Sequence, residues 1–88
     1  MIIYKYNVPI EVSFFDLALP LGAEILAFQT QDGLPKLWVL VDPEYIHEVT
    51  RHFTIRGTGD FFDYKKADSY IGTIQMSSYV WHLFETKE

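Results

Sequence analysis

The dipeptide Asp32-Gly33 constrains this chain more than any other feature. It stands between two apolar runs, Glu24–Thr30 and Leu37–Val41, and Asp-Gly in that setting signals a tight β-hairpin. By propensity alone, Glu24-Ile25-Leu26-Ala27-Phe28-Gln29-Thr30 also suits a helix. The turn that follows decides for a strand, so residues 23–30 and 36–41 are predicted to form a hairpin.

Once that hairpin is granted, the rest of the chain follows as strands. Ile2, Tyr4, Tyr6, Val8, Ile10 and Val12 alternate with Ile3, Lys5, Asn7, Pro9 and Glu11, the period of a half-buried strand. Pro9 has no N–H, which ends that strand or puts it at an edge. Phe15, Leu17 and Leu19 alternate again and stop at Pro20. Further strands are predicted over 51–56, 70–76 and 79–85, the last two joined by Ser77-Ser78. Asp42-Pro43-Glu44 suits a helix start, with Asp as cap and Pro at the first position, though at most a turn or two fits before Arg51. The expected fold is all-β: one domain over residues 1–88, a small antiparallel β-sandwich or open barrel of about seven short strands with at most one short helical turn. Leu37–Val41 is apolar on both faces, and such a strand needs cover on both sides.

Eighty-eight residues bury only ~60–65% of the surface of the unfolded chain. Seven Phe, six Tyr and two Trp are a direct way to build a core at that size, and a partner subunit would add to it, so a homo-oligomer is expected. There is no cysteine, which excludes disulfides and thiolate metal sites. The net charge is −5 and the seven basic residues are scattered, unlike the clustered footprint of a nucleic-acid binder. No apolar run approaches the ~20 residues of a membrane span, and the first residues lack the pattern of a signal peptide. The expected location is the cytoplasm.

Four segments, LGAEILAFQTQDGLPKLWVLVDP (Leu21–Pro43), FTIRGTGD (Phe53–Asp60), YIGTIQ (Tyr70–Gln75) and VWHLFE (Val80–Glu85), together resemble a family of small stand-alone bacteriophage and bacterial proteins known as a domain of unknown function. The resemblance covers nearly the whole chain and is weakest over Phe61–Ser69. It implies a phage- or prophage-associated protein in the host cytoplasm, and it brings no catalytic residues with it.

Candidate sites come from the residues themselves. Gly57-Thr58-Gly59 matches neither the dinucleotide nor the P-loop spacing. Two readings stay open: a bend in which glycine supplies positive φ, or an anion nest in which these N–H groups, the Thr58 hydroxyl and Arg56 hold a phosphate. The long connection Thr58–Ser69 carries Phe61, Phe62 and Tyr64 beside Lys65 and Lys66. Those rings either form a binding patch or fold over the sandwich and seal it. The candidate ligand residues are therefore Arg56, Gly57, Thr58, Gly59, Asp60, Tyr64, Lys65 and Lys66. The candidate interface residues are Trp38, Leu40, Phe61, Phe62, Trp81 and Leu83. His47, His52 and His82 do not have the spacing of a zinc set, and neither a nucleophile elbow nor a Cys-His pair is present. The expectation is a non-enzymatic binding protein without cofactor or metal. It would hold a small nucleotide or a host protein and thereby interfere with host defence. The alternative is a small structural or assembly component of a phage particle.

Overall fold

A computed structural model describes residues 1–65 and 68–87. Seven strands account for the ordered structure: β1 (Ile2–Asn7), β2 (Phe14–Pro20), β3 (Glu24–Gln31), β4 (Leu34–Val41), β5 (Glu48–Gly57), β6 (Ser69–Met76) and β7 (Tyr79–Thr86). They form two antiparallel sheets, a three-stranded one in the order β1-β4-β3 and a four-stranded one in the order β2-β5-β7-β6. No helix occurs among the described residues. The predicted helix start is corrected to a turn. Asp42 does cap, its carboxylate accepting the Glu44 N–H at 3.0 Å, but its carbonyl takes the Tyr45 N–H at 3.1 Å and the chain then leaves for β5.

The hairpin at Asp32-Gly33 is present, with φ of 53° and 76° at the two residues. Positive φ at both central positions is what a type I′ turn requires. Ser77-Ser78 joins β6 to β7 as expected, with Ser77 at φ 58°.

The core lies between the sheets. Leu37, Val39 and Val41 of β4 and Phe28 of β3 face Leu19 of β2, Phe53 and Ile55 of β5, Ile74 of β6 and Leu83 of β7. Phe15 and Phe53 stack with centroids 5.3 Å apart. Two β-bulges make this inward set possible. The pairing shifts between Ile25 and Ala27 and again between Tyr70 and Gly72. The extra residue in each strand lets positions three apart share a face: Ile25 and Phe28 both point inward, and Tyr70 and Thr73 both point outward. The sheets come closest where β3 meets β6, where the Gly72 backbone lies against Phe28. β1 and β2 form the opposite margin, and the whole is a slab 17 Å thick.

Candidate functional site

β5 directs Phe53 and Ile55 into the core, so by alternation Thr54 and Arg56 face outward. Their cross-strand neighbours on that face are Phe14 of β2 and His82 and Phe84 of β7. The chain from Thr58 to Lys65 then returns across this outer face. Phe62 packs on Phe84 at 5.5 Å between centroids and Tyr64 at 5.7 Å, while Tyr70 closes the third side at 5.6 Å. The two readings of the loop divide ring by ring: Phe62 lies on the sheet, Tyr64 meets Phe84 edge-on but is 59% exposed, and Phe61 is 101% exposed.

Arg56 occupies the seam between loop and sheet. Its guanidinium carbon is 4.8 Å from the Phe14 ring centroid and 5.2 Å from that of Phe62, so the cation is held between two π faces. Its Nε is buried and has no hydrogen-bond partner. Beside it is a pocket of about 340 Å³, floored by Phe14 and Thr54 and walled by Arg56, Lys65 and Lys87, with Asp63, Asp68 and Thr86 completing the lining. Asp68 is partly committed, since its carboxylate accepts the Lys65 N–H at 3.1 Å. Among the described lining residues three cations stand against two carboxylates, a formally positive set in a chain of net charge −5.

The glycine bend is a separate feature. The Gly57 N–H donates to the Asp60 carboxylate at 2.8 Å, the Asp60 N–H to the Gly57 carbonyl and the Thr58 N–H to the Val80 carbonyl, both at 3.1 Å. Gly59 takes φ 94°, the conformation for which glycine is suited. Two of the N–H donors of the expected nest, those of Gly57 and Thr58, are thus already used, by Asp60 and by β7. The Thr58 hydroxyl is used as well, 2.7 Å from His82 Nε2, while His82 Nδ1 lies 2.9 Å from the Thr73 hydroxyl, itself bonded to Tyr70. His82 therefore ties the loop to β6.

Of the expected ligand residues, the structure brings Arg56 and Lys65 to one pocket. Gly57, Thr58 and Asp60 line a different cleft beside Tyr79 and Trp81. Tyr64 supports Phe84, and Lys66 lies outside the described residues. Among the expected interface residues, Leu83 is corrected, while Trp81 is only partly covered. Leu83 is fully buried and Trp81 packs against the core cluster, because β7 is a central strand whose odd positions face inward. Trp38 and Leu40 lie half-buried on the outer face of the three-stranded sheet. Phe14, Thr54 and Lys87 were not singled out from sequence. Phe14 carried a usable signal, since it shares a face with Asp16 and not with the core-facing Phe15 and Leu17. No three metal-ligating side chains converge among the described residues, and no helix there is long and apolar enough to cross a membrane.

The architecture and this pocket define a small open β-sandwich with a cationic, ring-lined recess on the outer face of its larger sheet. Over residues 1–88 the chain matches the model of a family described as a domain of unknown function, DUF7352, and it belongs to that family. No curated protein and no solved structure matches it.

Proposed function

We propose that this is a non-enzymatic binding protein that takes an anionic ligand with an aromatic body, of the nucleotide class, in the recess around Arg56. The observation that carries the reading is the buried, unbonded Arg56 Nε. A buried donor without an acceptor costs about 1–3 kcal/mol, and native proteins rarely leave one so. A phosphate oxygen that displaces the cover over Nε would supply the acceptor, and the planar fork of the guanidinium, with the Phe14 and Phe62 rings beside it, matches a phosphate. The apolar floor suits a ring, and Lys65 and Lys87 add charge. The small positive balance favours a ligand of low charge, such as a cyclic nucleotide, over a polyphosphate. If the protein is phage-associated, as the resemblance of its sequence implies, withholding such a signal would interfere with host defence.

Calorimetric titration with cyclic mononucleotides, cyclic dinucleotides and ADP-ribose tests this. At least one should bind with one site per chain and weaken as salt rises. Arg56→Ala should lower the affinity about 10–100-fold, the equivalent of one or two lost charge-assisted hydrogen bonds, with the circular dichroism spectrum unchanged. Absence of heat with every compound would overturn the proposal.

A further inference from the structure

β1 is the edge of the three-stranded sheet, and the residues Met1 to Tyr4 carry no charged side chain. Ile2, Ile3 and Tyr4 are 44%, 55% and 41% exposed, so the first half of the strand is apolar and open on both faces. Edge strands in native proteins are normally blunted by charge, proline or cover. The other edges follow that rule, β2 with Asp16 and Pro20 and β3 and β6 by lying against each other, whereas the single charge of β1, Lys5, is turned to Gln31 at 2.6 Å on the outer face. The unpaired backbone groups of β1 can be placed. The Val8 N–H donates to the Pro35 carbonyl at 3.2 Å, in line with the register that sets Asn7 opposite Lys36. Because an antiparallel ladder alternates, even-numbered residues direct their N–H and C=O groups to β4, and Ile3, Lys5 and Asn7 direct theirs to the open edge.

We propose that β1 pairs antiparallel with β1 of a second copy, about a two-fold axis through Tyr4. An isologous contact of this kind keeps the two inward faces on the same side and joins two three-stranded sheets into one of six. In this register Tyr4 faces its own symmetry mate, Ile3 faces Lys5 of the second copy and Ile2 faces its Tyr6. Ile3 and Lys5 exchange the backbone hydrogen bonds that the open edge offers. The axis position is selected by charge and length. Centring on Lys5 would oppose two ammonium groups, which is destabilising, and centring on Ile3 would leave Tyr6 and Asn7 unpaired. β1 contains no acidic residue, so the contact avoids the charge that makes two copies of an acidic chain repel. It also covers Ile2 and Tyr4, whose inward faces the four-stranded sheet leaves half open. The occupant is thus a second copy, whose edge matches in sequence and exposure.

The test uses the full chain. Light scattering should give twice the mass of one chain, and Tyr4→Lys, which sets two ammonium groups across the axis, should give the monomer with an unchanged circular dichroism spectrum. Tyr4→Cys places a single thiol in a cysteine-free chain at a non-hydrogen-bonded pair, where Cα atoms are about 4.5 Å apart, within disulfide reach. Mild oxidation should yield a covalent dimer from Tyr4→Cys and none from Ile3→Cys, whose opposite residue is lysine. A monomer at every concentration, an open-ended polymer, or cross-linking of Ile3→Cys in preference to Tyr4→Cys would overturn the proposal.

Discussion

Arg51 and Arg56 leave the same strand on opposite faces, because five residues is an odd number of steps in a period-2 structure. Arg51 turns inward at one end of the sandwich and each of its three nitrogens is used: Nε and Nη2 donate to the Glu85 carboxylate at 2.7 and 2.8 Å, and Nη1 donates to the Ala23 carbonyl at 2.6 Å. The hydrogen bond to Glu85 raises its pKa further above the ordinary value, against the effect of burial. Arg51→Ala should cost about 1–2 kcal/mol, between the values for exposed and buried pairs, visible as a lower urea midpoint with an unchanged slope. Arg56 was legible in the sequence through its glycine neighbours, yet the reason it matters was not. The rings that hold it come from Phe14, on another strand, and Phe62, across the bend. Asp60 was legible as a polar loop residue, but that its carboxylate closes the bend depends on local geometry that composition does not encode.

At the scale of elements, alternation and turn chemistry located the seven strands, and Asp32-Gly33 settled the one segment whose propensity was divided. The ambiguity over residues 24–30 has a structural cause. Ile25 and Phe28 are spaced like a helical face, and the chain accommodates that spacing in a strand by bulging at Leu26. Deleting Leu26 would set Ile25 and Phe28 two apart, so plain alternation would keep both in the core without a bulge. Because the buried set is kept and Leu26 is half exposed, stability should change by less than about 1 kcal/mol, measured by chemical denaturation. Asp42 shows the opposite case. A capping residue and a proline were present, but no apolar run with helical period followed to sustain a helix.

For the molecule as a whole, the pairings of β1 with β4 and β2 with β5 join residues 28 to 40 positions apart. No local pattern reports them, which is why the sandwich was legible as a class but not as a topology. One such long-range contact should be visible in the pH dependence of stability. Burial raises the Tyr6 hydroxyl above its usual value, and the charges of Glu48 and ionised Tyr4 add to that. The unfolded chain ionises this phenol near pH 10, whereas the folded chain holds the proton to higher pH. The contribution is therefore complete below about pH 10 and is lost as pH rises through the folded value. Urea midpoints between pH 8 and 11 should fall more steeply for the natural chain than for Tyr6→Phe. The slab geometry has a further consequence. The recess around Arg56 opens outward from one layer, whereas the free edge of β1 belongs to the other. Under the proposed binding and the proposed pairing, each chain would carry its own guest, and dilution that parts the copies would leave the guest in place.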